Sequence, residues 1–212
     1  MKIYKVKYDD TGGEEIRYQT LYLSKRGFKD DLEIGEYLRK HFKFAGVPIK
    51  DWHPPEMRSP YPLHIAPDFW SLDTNTGAFA AGSKAMEIRE LNNIFLDAGQ
   101  LLPLPFKGEE LTICNILECV DCIDEEKTEW HLEARTKKRL SPKRPFFVER
   151  ELPHSSLFKI YQDPRQIYVW ERNRDPECEF KACVEANKLT GLKFEPMWSE
   201  EEGIIPYKHP EP

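Results

Sequence analysis

Six prolines fall within residues 47–67 of this chain: Pro48, Pro54, Pro55, Pro60, Pro62 and Pro67. Each removes a backbone donor and fixes φ at about −65°, so neither a helix nor a central strand can run through the segment. Residues 47–67 are therefore expected to form an ordered loop crossing the surface. Long loops in compact domains are often functional, but the more ordinary role for this one is to cover the core.

On either side of this loop the hydrophobic pattern is regular. Residues 2–8 alternate, with Tyr4, Val6 and Tyr8 on one face; 9–13 read as a turn, and 16–23 as a returning strand, which predicts an N-terminal β-hairpin. Residues 30–42 follow as a short helix. Residues 83–99 make the strongest helix: Ser83 is placed to cap it, Ile88, Leu91, Ile94 and Phe95 form an apolar stripe, and Gly99 sits where a left-handed C-cap residue belongs. Strands are expected at 111–117, 144–149, 157–161 and 166–170, the last two joined by the turn Gln162-Asp163-Pro164-Arg165. A helix over 175–187 has Asp175 as its cap and Pro176 at its first position, with Phe180, Cys183, Val184 and Asn187 on one face. Gly191 ends that unit, 192–194 starts a short strand, and 199–212 reads as a polar tail. The pattern is that of an α+β fold: a mixed, mainly antiparallel sheet packed with a few amphipathic helices. It fits a single unit over 1–212, within which 1–66 could form an N-terminal lobe of hairpin, helix and Pro-rich loop, 67–198 a second region and 199–212 the tail.

A chain of 212 residues can bury roughly 70% of the surface its unfolded form exposes, so it needs no disulfide or metal to fold. Its net charge of −6 argues against a nucleic-acid partner and is compatible with a basic protein partner. The charged N-terminus lacks the apolar stretch of a signal peptide, and no apolar run approaches the roughly 20 residues that span a bilayer. Five cysteines, Cys114, Cys119, Cys122, Cys178 and Cys183, are a poor basis for a secreted disulfide framework. A cytoplasmic protein with no membrane partner is expected.

Catalytic motifs are missing. There is no nucleophile elbow, zinc-protease helix, Walker loop or dinucleotide-binding turn. Cys119-x-x-Cys122 and the Cys178/Cys183 pair resemble zinc half-sites, but the latter two would stand about 140° apart around a helix and could not easily grip one ion. His154-Ser155-Ser156 places a hydroxyl beside an imidazole without the orienting carboxylate and oxyanion donors that a nucleophile needs. No catalytic residue, cofactor site or metal site is assigned. An enzyme built around His53, His64 and Asp68, beside the Pro-rich loop, is the main rival reading.

Charge patterning is more informative. Residues 109–133 hold nine acids against one base, Lys127, a net of −8. Residues 135–150 hold seven bases against one acid, Glu149, a net of +6. The ordinary reading is a solvated loop whose two arms attract each other. The sharper one makes the acidic arm, through Asp121, Asp124, Glu125 and Glu126, a docking face for a basic protein. Glu200, Glu201 and Glu202 form a second acidic patch next to Trp198, and aromatic anchors with charged rims are common at interfaces. A regulatory module binding several basic proteins through the 109–133 arm is a further alternative.

Three blocks carry a family resemblance. Pro67-Asp68-Phe69 precedes Gly77 and Ala80-Ala81-Gly82-Ser83-Lys84-Ala85. Cys114-Asn115-Ile116-Leu117 leads to Val120-Asp121-Cys122-Ile123-Asp124. Leu157-Phe158-Lys159-Ile160 and Ile167-Tyr168-Val169 precede Leu189-Thr190-Gly191-Leu192-Lys193-Phe194-Glu195-Pro196-Met197-Trp198. In this order they resemble the immunity proteins of bacterial polymorphic toxin systems, specifically immunity family eleven, the Myxococcus-type immunity domain. The resemblance spans residues 67–198 and does not reach the N-terminal region. It implies a protein that binds and neutralises a cognate toxin, with no catalysis and no cofactor, and it leaves room for a homodimer. The residues that would meet the toxin are Asp121, Asp124, Glu125, Glu126, Trp198, Glu200 and Glu201.

Overall fold

Two six-stranded sheets enclose a shared helical layer. The computed structural model describes residues 1–9, 20–24, 26, 28–30, 33, 36, 37, 46–59, 66–72 and 77–206. The first sheet has the order β14-β13-β1-β12-β11-β8, with β1 Lys2–Tyr8, β8 Cys119–Val120, β11 Leu157–Ile160, β12 Asp163–Glu171, β13 Leu192–Ser199 and β14 Gly203–Ile204. The second has the order β3-β2-β4-β5-β7-β6, with β2 Thr20–Leu23, β3 Met57–Arg58, β4 Phe69–Leu72, β5 Ala78–Ala81, β6 Gly99–Phe106 and β7 Glu109–Ile116. This second sheet curls until β3 comes back within reach of β6. Pairing is antiparallel except between β11 and β8 and between β2 and β4. The fold is α+β and dominated by sheet.

Three helices lie in the shared layer: α1 Ser83–Met86, α2 Arg89–Ala98 and α3 Phe180–Ala186. Leu91, Ile94, Phe95 and Ala98 of α2 and Phe180, Cys183 and Val184 of α3 meet Phe69, Phe79, Cys114 and Ile116 from the second sheet and Val6, Leu157, Ile167, Val169 and Leu192 from the first. Phe180 is the hub, with Phe69, Phe79, Phe95 and Phe194 all within 6.1 Å of it, centroid to centroid. Each sheet also has a buried outer face. Leu21, Trp70, Leu104 and Ile113 form the outer core of the second sheet; Ile3, Phe147, Phe158, Tyr168 and Trp198 form that of the first.

The N-terminal hairpin is not formed. Both edges of β1 are occupied, by β12 and β13, while β2 pairs with β3 and β4 in the other sheet. The strand carries apolar groups on both faces, Ile3 toward the outer core and Tyr4, Val6 and Tyr8 toward the shared one. Only a central position in a sheet covers both faces, so long-range pairing displaces the local turn. Residues 10–19 lie outside the described residues, as does most of the 30–42 helix.

The helix expected over 83–99 is broken. Gly82, not Ser83, stands at the cap of α1, and Ile88 is extended at the start of α2, where the Asn92 amide side chain donates to the Met86 carbonyl. Gly99 is extended rather than left-handed, at φ 174°. Its lack of a side chain serves another end: a Cβ there would lie 2.1 Å from the Asn115 carbonyl oxygen on β7. Gly191 does take positive φ, at 100°, and a Cβ there would lie 2.2 Å from the Phe69 carbonyl oxygen.

Residues 144–149 are not a strand. Only Arg144 belongs to a strand, as the last residue of β10, Arg139–Arg144; a single bridge joins Phe147 to Ile123, and a 3-10 turn covers Glu149–Glu151. The β11–β12 turn is tighter than expected, because Ile160 already pairs with Asp163. Asp175 caps only a turn, its Oδ1 accepting from the Glu177 amide at 2.9 Å. Helix α3 begins later because Glu179 is extended, its carboxylate turned back to accept from the amides of Arg172, Asn173 and Arg174 at 3.1, 2.8 and 2.9 Å. The region beyond 199 is not all tail, since it supplies β14.

Candidate functional site

Irregular chain covers each outer face. Over the second sheet lies the Pro-rich segment. Gln100 grips the Ile49 backbone twice, accepting from its amide at 3.0 Å and donating to its carbonyl at 2.8 Å. Trp52 Nε1 donates to the Pro103 carbonyl at 2.7 Å, Asn115 Nδ2 donates to the Val47 carbonyl at 3.2 Å, and Met57 is buried within the two-residue β3. Among the described residues this loop is a cover.

Over the first sheet lies the charged excursion. It leaves the sheet at β8, runs antiparallel against itself through the Ile123–Phe147 bridge, and continues as a two-stranded ribbon of β9, Glu129–Leu132, and β10. The acidic and basic arms fold on one another. Arg139 reaches Glu125 at 3.2 Å, Arg144 reaches Glu129 at 3.4 Å, and the Arg139 guanidinium stands 5.2 Å over the Trp130 ring. Two of the arm's nine acids, Glu125 and Glu129, are thus paired with the basic arm at the surface.

The candidate contact residues have distinct fates. Asp124 organises a turn: Oδ1 accepts from the amides of Glu126 and Lys127 at 3.1 and 3.2 Å, and Oδ2 meets the Lys127 ammonium at 3.0 Å. The Lys127 side-chain and backbone hydrogen bonds hold its carboxyl below the usual value. Asp121 accepts from Gln162 Nε2 at 2.8 Å, Glu125 pairs with Arg139, and Glu200 meets the Met1 amine at 3.2 Å. Trp198 is not a surface anchor: it is 5% exposed, packed on Phe146 and Phe147, with its indole N–H buried and without a hydrogen-bond partner among the described residues. Glu126, Glu201 and Glu202 are exposed, and their carboxylates have no partner among the described residues.

What the fold adds is proximity. The turn after Asp124 and the two strands joined by the β13–β14 turn both meet Phe146, which is half-buried. The Lys127 ammonium stands 4.8 Å from the Phe146 ring centroid, the Phe146 carbonyl accepts from the Asp124 amide at 2.8 Å, and the Phe146 amide donates to Thr128 Oγ1 at 3.0 Å. From the strands flanking the 200–202 turn, Trp198 on β13 lies 6.1 Å from Phe146, ring to ring, and a Cβ on Gly203 of β14 would come within 3.3 Å of that ring. Two acidic patches some 75 residues apart in sequence therefore border one aromatic side chain. The Phe146-Phe147 pair was the available signal: alternation in an extended segment turns one ring inward and the other out.

The groups of the rival enzyme reading do not converge among the described residues. Asp68 Oδ2 accepts from the Thr190 amide at 2.7 Å, from Thr190 Oγ1 at 3.0 Å and from Lys84 at 3.3 Å, tying β4 to the approach to β13. His53 is exposed, with Nδ1 3.2 Å from the Asp51 carbonyl, and His64 lies outside the described residues. Ser156 Oγ donates to the Cys178 carbonyl at 2.9 Å and accepts from the Phe180 amide at 2.9 Å, so this hydroxyl positions α3. A buried ion cluster also holds that helix: Lys181 meets Glu171 at 2.8 Å and Glu185 at 2.9 Å. Burial opposes the Lys181 charge, but the hydrogen bonds to these carboxylates outweigh it and hold its pKa above the ordinary value.

All five cysteines are free thiols. Cys122 sits in the outer core, where burial pushes its pKa to about 12, and Cys183 lies on the buried face of α3. Among the described residues no group of three or more His, Cys, Asp or Glu is placed to hold a metal, and no helix is long and apolar enough to cross a membrane. No protein-family model and no curated protein matches the chain.

Proposed function

We propose that this chain is a binding protein that neutralises a cognate toxin of a bacterial polymorphic toxin system, acting in the cytoplasm. The resemblance of residues 67–198 to toxin-immunity proteins motivates the reading. The observation that carries its physical side is that the turn after Asp124 and the strands flanking the 200–202 turn meet around Phe146, with the carboxylates of Glu126, Glu201 and Glu202 exposed and without an ion pair among the described residues. Such a face favours a basic partner, since carboxylates at a rim speed encounter and reject wrong partners, while an aromatic centre contributes most to the contact energy.

Immunity requires tight binding and nothing more. Nanomolar affinity corresponds to about 12 kcal/mol. An interface of roughly 1,600 Å² with a few buried anchors can supply it. The three carboxylates and Phe146 would form one part of such an interface and set its charge preference. The test is co-expression in a sensitive host with the toxin encoded beside this gene. Growth is expected with the wild-type chain and lost with E126K/E201K/E202K. Killing that the wild-type chain leaves unchanged contradicts the proposal.

A further inference from the structure

The β9–β10 ribbon carries a second feature that its internal ion pairs do not use. Every residue from His131 to Leu140 is exposed. Two of them are large and apolar, Leu132 at 52% and Leu140 at 58% exposure; Leu140 directly follows the residue paired with Leu132, so strand alternation gives each face of the ribbon one leucine. The turn between them holds Arg135, Lys137 and Lys138. Arg139 and Arg144 are neutralised by Glu125 and Glu129, but these three cations have no carboxylate partner among the described residues. The acid within the turn, Glu133, accepts from the Thr136 hydroxyl instead.

The turn has a defined shape. The Glu133 amide donates to the Lys138 carbonyl and the Lys137 amide to the Glu133 carbonyl, both at 2.9 Å, and Lys137 takes positive φ at 59°. A partner would therefore meet three cations on an organised backbone, which lowers the ordering cost of binding. Both long edges of the ribbon lack a neighbouring strand among the described residues. By contrast, the long edge strand β6 is blunted by Pro103 and Pro105.

We propose that this ribbon tip is a second docking surface, for an acidic, partly apolar segment of a protein. Charge complementarity sets the sign of the partner, and Leu132 and Leu140, one on each face of the ribbon beside the turn, supply apolar contacts that a purely ionic site would lack. A nucleic acid fits less well. Its bases need an aromatic face to stack on, and the nearby Trp130 has its ring beneath Arg139 and its N–H donated to the Glu125 carbonyl at 3.1 Å. Three cations also neutralise few phosphates, and the chain as a whole is at −6. The surface is independent of the proposed toxin face, whose charge is opposite.

The test is fluorescence anisotropy on the full chain at low salt with three labelled probes: a short peptide repeating Glu-Thr-Glu-Leu, an all-Glu peptide of equal length, and oligothymidylate. The Glu-Thr-Glu-Leu peptide is expected to bind tightest. R135Q/K137Q/K138Q should weaken it about tenfold, and L132S/L140S by a smaller factor of roughly three. E126K/E201K/E202K should not weaken it, which separates this surface from the toxin face. Circular dichroism and unfolding midpoints confirm that the variants fold. Equal or tighter binding of oligothymidylate overturns the proposal in favour of nucleic acid. No binding of the Glu-Thr-Glu-Leu peptide, or binding unchanged in R135Q/K137Q/K138Q, overturns it outright.

Discussion

The two covers of this molecule start side by side and solve the same problem differently. Gly46, where the Pro-rich cover begins, lies so close to Cys119, where the charged cover begins, that a Cβ on it would come 2.9 Å from the Cys119 Cβ. The Pro-rich segment lies along the second sheet and directs its polar contacts into that sheet, through Gln100, Asn115 and the Pro103 carbonyl. The charged excursion buries its base, at Cys122, Ile123 and Phe147, together with Thr128, Pro142 and Pro145, and carries its tip outward as a ribbon. A cover that satisfies its own polar groups against the core has little left for a partner. One that keeps unpaired charge beyond its ion pairs does, and in this chain that surplus sits at Glu126 beside the 200–202 turn and at the ribbon tip.

The largest effect expected from breaking this contrast is at Phe147, which is 1% exposed and touches the rings of Tyr168, Phe158 and Trp198. Phe147→Ala should cost about 4 kcal/mol in denaturant unfolding, because a buried aromatic leaves a cavity. The Pro-rich cover should be less sensitive at any one point. Gln100→Ala removes both hydrogen bonds to Ile49 and should cost about 2 kcal/mol by the same measurement. A cost equal to that of Phe147→Ala would show the two covers to be equally integrated.

Lys159, buried on β11 opposite Cys119, links the contrast to pH. Burial pushes its pKa down to about 7 from 10.5, with the Cys119 thiolate working the other way. Between those values the unfolded chain holds a proton that the folded chain lacks, so the cost of burying the charged amine is full below about pH 7, shrinks as pH rises and is gone above the unfolded pKa. The buried Cys122 and Cys114 thiols, raised by burial, act oppositely once the pH exceeds 9, where their unfolded forms ionise. Unfolding midpoints should therefore rise between pH 7 and 9, and K159M should flatten that rise. The smallest effect is expected at the ribbon's own ion pairs. A double-mutant cycle on Glu125 and Arg139, both exposed, should give a coupling of about 0.5 kcal/mol that fades with salt.

How much of this could be read in advance depended on whether the pattern was local. The faces of β1, the strands near 111–117 and 157–170 and the apolar face of α3 followed from alternation and helical spacing. So did the attraction between the charged arms, since opposite charges close in sequence need only a turn to meet. The N-terminal hairpin failed because β1 has two apolar faces and its true partners lie more than 160 residues away. The break before α2 rests on a side-chain bond from Asn92 that leaves no mark in the hydrophobic stripe. At the candidate site both acidic patches were legible, but their meeting was not, because it depends on Phe146 lying over Trp198. Trp198 itself could not be sorted by sequence, as a tryptophan beside three glutamates reads equally as rim or core.

The most direct test of the account is the binding of the proposed cognate toxin, purified, to this chain, measured by calorimetry for wild type and for E126K/E201K/E202K. The account predicts a one-to-one complex of nanomolar or tighter affinity, weakened at least tenfold by charge reversal in a variant with an unchanged unfolding midpoint. A complex of undiminished affinity in that variant would contradict the placement of the docking face, and the absence of any complex with the wild-type chain would contradict the toxin-neutralising role.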